Sequence, residues 1–451
     1  MRTSILVELK KTVLLAFVLV LLSTAMMWGF TRPVGSDWTW TETIYIRADG
    51  SIEPDTAPIS TVDNITYTFT DNIAGDVPAY SKAIVVEKDN IVVDGAGYIL
   101  QGTGSGKAGI ILSGRSNVTI QNMEIRGFQV GVWLNTSLSN TISRNNITNN
   151  DYGIFSYRSL NNSLSGNRIA DNSYGIKFDG CSKNHFFGNE ITNNSIGVIF
   201  GGSHNNNFSR NNITLNCNGI YFQGIKVERG YGISLGGSSN NIIYGNNIAS
   251  NEDGVSLYNS HNNTISRNNI TLNQNGIKLS GPYEYSSGEN IVYGNDVTNN
   301  NFGIQVTSPG NSIHGNNITN NEVGIKVGSE FNTIYYNNFI NNTKQVYTYR
   351  LSFFQVNYWS DYTGKDRNGD NIGDTPYGDY LDRYPLMRPW TLGWSPKPSV
   401  DQALEEEIPF WMQWWFWTII AVVIVTLAGA VYFLKKRKPP ITTVSPLPTE
   451  D

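Results

Sequence analysis

The chain has 451 residues, with 32 Lys and Arg against 37 Asp and Glu, for a net charge of −5. No basic run interrupts its central region, which argues against nucleic acid as a partner. Two cysteines, Cys181 and Cys217, cannot make a disulfide framework, and both are expected to be unpaired and mostly buried.

Residues 1–30 carry Arg2, Lys10 and Lys11, then an apolar stretch from Thr12 to Phe30 with small residues at Ser23 to Ala25. That pattern reads as a signal peptide or signal anchor. Residues 38–80 have irregular short-strand character and are expected to cap the N-terminal end of the central region.

Residues 81–346 are a repeat. Its anchors are Ile147, Ile169, Ile191, Ile213, Ile248, Ile270, Val297, Ile318 and Phe339. Seven residues before each anchor, two before it and three after it stands an asparagine; around Ile147 these are Asn140, Asn145 and Asn150. Five before each anchor is an apolar residue, such as Ile142, Leu164 or Phe186. A third segment begins at a glycine, as at Gly131, Gly153 and Gly175, and alternates apolar with outward residues. Period 2 marks strands, and no helical period runs through the repeat. Each coil of roughly 22 residues therefore reads as three short strands joined by tight corners. Stacked coils bury the apolar faces that one coil cannot, so the fold class is all-β, a parallel β-helix solenoid. About a dozen coils rising about 4.8 Å each give a rod on the order of 55 Å. Asparagine suits the corners, because it enters the left-handed region and its amide can bond to the asparagine stacked on it. The three columns are expected to be scaffold.

The Gly219 to Gly254 spacing exceeds the period near Gln223 to Tyr231, and a second excess lies at Gly281 to Gly288. Both are expected to be loops on one face. N-x-S/T sequons, at Asn64, Asn146, Asn212, Asn269, Asn317 and elsewhere, follow from an Asn- and Thr-rich repeat and also permit glycosylation.

Residues 347–390 are rich in aromatics and are expected to close the C-terminal end. Within them Asp366, Asn368, Asp370, the carbonyl of Ile372 and Asp374 have the alternating oxygen spacing of a calcium loop. Asn371 stands where such a loop usually has Gly, and Tyr377 where it has Glu; Asp361, Asp379 or Asp382 would complete the shell. Residues 391–409 form a polar linker. The segment 410–434 is apolar enough to span a bilayer as a helix, with Trp411, Trp414, Trp415 and Trp417 at one end. Lys435, Lys436, Arg437 and Lys438 open a tail over 435–451, which the positive-inside rule places in the cytoplasm, with the solenoid outside the membrane.

The outward positions of the glycine-led strand hold Trp133, Phe155, Tyr157, Lys177, Asp179, Tyr221, Tyr258, Lys278, Gln305 and Lys326. Aromatic faces stack on sugar rings and lysines pair with uronate carboxylates, so these residues form a candidate groove for a polysaccharide or envelope glycan. An ordinary exposed sheet also favours aromatics. For a lyase or epimerase, only Lys177 with Asp179 and Glu252 with Asp253 come forward, without an accompanying acid–base–cation cluster. His185, His204, His261 and His314 read as surface residues; His204 and His261 share a column, but Ser239 lies on the coil between them. That arrangement speaks against copper, which needs His, Met or Cys brought together.

The repeat, of the form N-x-I-x-x-N-x-I-x-x-N with a following G-I, resembles the NosD-like right-handed parallel β-helix family between Ile44 and Trp390. Flanking motifs strengthen the resemblance: Tyr45 to Ile52, Val93-Asp94-Gly95-Ala96-Gly97, Asn357 to Tyr362 and Tyr384-Pro385-Leu386. The resemblance implies a right-handed solenoid. It also brings a family name associated with copper supply, and fold relatives that include pectate lyases and mannuronan epimerases. Membrane-anchored versions look like microbial surface proteins. A glycan-binding surface protein, a polysaccharide lyase or epimerase, a structural spacer or adhesin, and a copper accessory protein are the four functions this leaves open.

Overall fold

In a computed structural model the described residues are 38–216, 218–223, 237–281, 288–350, 352–379 and 381–392. The signal segment, Cys217, most of both insertions, most of the linker, the apolar span and the tail lie outside them. Two units divide the chain: Met1–Lys365 with Gly373–Leu392, and Asp366–Ile372 with Gly393–Asp451.

The first unit is a right-handed parallel β-solenoid with no helix among its described residues. Three sheets of 14 strands run along it. Sheet I contains strands such as Thr141–Ser143, sheet II Asn146–Thr148 and sheet III Tyr152–Tyr157. Registry is strict: Ile142 pairs with Leu164, Ile147 with Ile169, Ile154 with Ile176. These six inward side chains are fully buried. Bulkier rings fill the middle, where Phe186 stacks on Phe208 at 4.2 Å and both meet Phe200 edge-on.

The asparagine columns turn inward and are buried, Asn189 to 1% exposure. Each is a hub. The Oδ1 of Asn189 accepts from the backbone N–H (3.1 Å) and the Nδ2 (3.0 Å) of Asn167 on the coil before. Its own Nδ2 donates to the Leu164 carbonyl (2.8 Å) and to Asn211 Oδ1 (3.0 Å). Tight corners leave backbone groups without ladder partners, and these amides satisfy them. The left-handed residues are a different set from the one expected. Many stand beside the ladder asparagines, among them Asn149, Asn193 and Asn299 but also Leu215, Leu272 and Arg144.

Both ends are closed. At the start, Ile52–Glu53 and Ile59–Ser60 pair antiparallel onto Ile44–Ile46 and Thr66–Phe69, ending the parallel registry. At the other end Phe339, Trp359 and Tyr377 stack at 4.4 and 4.2 Å. One asparagine column terminates in a carboxylate there. Asn337 gives way to Asn357, and Asp382 follows, fully buried. Asp382 accepts from the N–H groups of Val356, Asn357 and Tyr384 and from Trp359 Nε1. It therefore belongs to the core and not, as expected, among the candidates for a calcium shell. Burial pushes its carboxyl above the usual range, against the pull of those donors.

Candidate functional site

Sheet III carries the outward face with the most chemistry. One register column runs Ile111, Trp133, Phe155, Lys177, Ile199, Tyr221, Ser256, Lys278, Gln305, Lys326, Tyr347. Seven of the expected residues thus share one line: Trp133, Phe155, Lys177, Tyr221, Lys278, Gln305 and Lys326. Tyr157 and Asp179 lie on a second column, joined further along by Tyr258.

A third column was missed. Each strand starts one residue before its glycine, so Tyr152 and Tyr174 also face outward. Extending period 2 backward from Ile154 would bury Tyr152. The glycine resets the phase, and Gly153 and Ile154 are buried in succession. Only glycine fits, since a Cβ at Gly153 would lie 2.6 Å from the Gly175 carbonyl oxygen on the next coil. The missed signal is the aromatic repeat itself, Tyr152 then Tyr174, in the column before the glycines.

Together these columns build a cluster outside the core. Tyr152 and Tyr174 stack at 4.8 Å, Tyr152 lies 5.7 Å from Phe155, and Phe155 lies 6.1 Å from Trp133. Ile111 and Val130 are nearly buried beside them. The Lys177 ammonium sits 5.4, 5.6 and 5.9 Å from the Tyr152, Phe155 and Tyr174 rings, within reach of cation–π attraction. Trp133 Nε1 is buried without a hydrogen-bond partner among the described residues. Towards the C-terminus the face turns basic. Lys326 lies 5.3 Å from Phe302, and Lys344 lies 4.3 Å from Tyr347.

The two carboxylate pairings separate. Lys177 and Asp179 occupy different columns of one strand. Asp253 is nearly buried, bonded to Lys278 (3.1 Å) and to Asn275 (2.7 Å), which occupies it in a structural ion pair.

His185 is exposed, as expected, but the other three histidines are more than surface residues. His204 Nδ1 accepts the Ser239 N–H (3.1 Å), and His261 Nδ1 accepts the Gly288 N–H (3.3 Å). His314 is sandwiched between Tyr293 (5.4 Å) and Tyr335 (4.8 Å) on sheet I, and burial lowers its pKa. Cys181 is buried, with burial raising its thiol. Among the described residues no three His, Cys, Asp or Glu converge as a metal group.

In the second unit, Asp366 Oδ1 accepts from the Gly369 (2.6 Å) and Asp370 (3.2 Å) N–H groups, and its Oδ2 accepts from Asn371. Asp370 Oδ1 accepts from Ile372 and its Oδ2 from Asn368 Nδ2. Asp374 lies in the first unit, its N–H donating to the Lys365 carbonyl.

A family model described as NosD, periplasmic copper-binding protein, matches residues 49–224 and 209–379. No curated protein matches the chain. Among solved structures, the A-module of mannuronan C-5 epimerase AlgE4 from Azotobacter vinelandii is 17% identical at a TM-score of 0.48, over 64% of this chain and 84% of that one. The Dettilon tailspike protein is also 17% identical at 0.48, over 70% of this chain and 60% of its own. A periplasmic alginate epimerase, AlgG, is 15% identical at 0.45, over 69% of this chain and 83% of its own.

Proposed function

The chain belongs to the NosD family, and from that premise and the outward face of sheet III we propose that it is a glycan-binding β-helix whose ligand is an acidic polysaccharide. The observation that carries this is the single column of Trp133, Phe155 and Lys177 flanked by Tyr152 and Tyr174. Sugar C–H faces pack on such rings, and the Lys177 ammonium supplies a partner for a uronate carboxylate. Parallel stacking repeats these contacts about every 4.8 Å, which suits a ligand that is itself a repeat.

Copper is left out of the proposal. The described histidines are dispersed over several coils, and two have their Nδ1 committed to backbone N–H groups. Cys181 is buried in the core. Those residues do not fit a copper centre. We further propose that the Asp366–Ile372 loop binds calcium, and that the segment 410–434 tethers the solenoid to a membrane from outside.

The test is a glycan array probed with the full chain in detergent. Uronate-containing glycans should bind, and a Trp133→Ala, Lys177→Ala double variant should lose at least about tenfold in affinity. No binding by the parent would favour the spacer or adhesin, and unchanged binding by the variant would move the site off this face. Release of unsaturated uronates, or inversion of uronate stereochemistry, would favour the lyase or epimerase.

A further inference from the structure

The Val93-Asp94-Gly95-Ala96-Gly97 motif has no part in the face of sheet III; it builds a pocket at the corner between sheets I and II. Gly95 to Tyr98 separate the strands Val92–Asp94 and Ile99–Gln101. On the next coil only Asn122 and Met123 separate Thr119–Gln121 from Glu124–Arg126. Two extra residues in one coil make that corner overhang its neighbour. Asp94 fixes the overhang: its carboxylate accepts from the Ala96 N–H (2.8 Å), Gln121 Nε2 (2.9 Å) and Asn122 Nδ2. Gly95 is forced, since a Cβ there would fall 2.1 Å from Met123 Cβ.

Under the overhang is a cavity of about 490 Å³, lined among others by Gly97, Glu124, Arg144, Asn146, Gly166 and Arg168. That volume suits a small molecule. Glycine keeps it open: a Cβ at Gly97 would meet nothing within 4 Å, and one at Gly166 only the Arg144 stem at 3.9 Å. Arg144 holds a left-handed conformation (φ 56°) at a place the next two coils give to Gly166 and Gly188.

Charge decides the ligand class. Corner arginines recur at Arg210 and Arg267, and each lies over a ring of the preceding coil, Phe187 at 5.6 Å and Tyr244 at 5.8 Å. Under Arg144 the corresponding residue is Gln121, already bonded to Asp94. Arg144 makes no side-chain hydrogen bond, ion pair or ring contact among the described residues. Arg168 is steadied by Asn146 Oδ1 (3.1 Å) and faces Asp171 at 4.0 Å. Glu124 is neutralised by Arg126 at 2.5 Å. The pocket is left with an uncommitted guanidinium, a free Asn146 amide N–H and an apolar wall from the half-buried Ile99.

We infer that this pocket is a second ligand site, for a single sugar acid whose carboxylate is held by Arg144 and whose ring lies against the apolar wall. Guanidinium–carboxylate pairing is planar and bidentate, so lysine would replace Arg144 only in part. The site is separate from the sheet III face and does not depend on it.

Titration calorimetry on the full chain in detergent, with sodium galacturonate and sodium glucuronate as probes, tests it. At least one uronate should bind, galactose should not, and Arg144→Gln should weaken binding at least about tenfold. Arg144→Lys should fall between, and the Trp133→Ala, Lys177→Ala double variant should bind as the parent does. Arg144 is exposed, so the Gln variant should melt with the parent, separating lost binding from lost fold. Binding of neither uronate, equal binding by galactose, full affinity in Arg144→Gln, or displacement by inorganic sulfate as effective as by uronate would each overturn the proposal.

Discussion

At the scale of the residue, this fold depends on what asparagine does with both halves of its amide. Asn189 joins the coils on either side and serves two backbone groups as well, the Asn167 N–H and the Leu164 carbonyl. Alanine there would leave the buried Asn167 N–H without an acceptor and take a donor from the buried Asn211 Oδ1. At about 1–3 kcal/mol for each such group, Asn189→Ala should cost about 3–5 kcal/mol in urea unfolding. A loss below about 1 kcal/mol would mean that water fills the gap. The sequence shows these columns plainly but misplaces one of their properties. Left-handed geometry falls to their neighbours, Leu215 and Leu272 among them, because the amide can reach the next coil only from an inward-turned residue. The Asp366 loop poses a different residue-scale question. Its carboxylates close the loop onto its own N–H groups, which a metal would reinforce. Asp370→Ala should lower the melting temperature only when calcium is supplied. An equal drop in chelator would leave a polar turn in place of a metal site.

At the scale of the element, sheet assignment follows from period 2, and it fails where one glycine resets the phase. Tyr152 and Tyr174 were lost there, although Trp133, Phe155 and Lys177, all beyond the glycine, came out on the correct face. Sheet I holds another feature that no single repeat displays. Tyr293, His314 and Tyr335 become a ring stack only through registry across three coils. Stacking half-buries the imidazole and lowers its pKa. The unfolded chain titrates near 6.5, so below that pH it takes up the proton before the folded chain does. Stability should therefore fall as pH drops from about 6.5 through the lowered folded value, then level off. His314→Phe keeps a ring in the stack and removes the titration. Its melting curve should run parallel to the parent's above about pH 7 and lose less on acidification below about 6.5. His204, also lowered by burial, is present in both proteins and cancels. Identical pH slopes would mean that His314 takes up its proton as freely in the stack as in the open chain.

At the scale of the whole molecule, the repeat made the solenoid legible because every coil solves the same problem, burying apolar faces that no coil buries alone. What stayed hidden is what departs from the average coil. The overhang at Gly95 to Tyr98 lies in an early coil, and its effect depends on how much shorter the next corner is. Asp382 looked like a spare acid beside a calcium motif, and its place at the end of an asparagine column is visible only once the ladder is built. The proposed tether rests on sequence physics alone. An apolar run from Phe410 to Leu434 is long enough for a bilayer, tryptophans suit one interface, and under the positive-inside rule Lys435 to Lys438 would hold the other end on the cytoplasmic side. The solenoid closes both ends of its core with its own strands and rings, so its stability should not depend on that anchor. Deleting 410–434 should move the protein from an alkali-resistant membrane fraction to the soluble fraction, with its urea midpoint unchanged. Extraction of the full chain by alkali would reject the tether. A shifted midpoint in the deleted chain would show that the anchor also stabilises the coils.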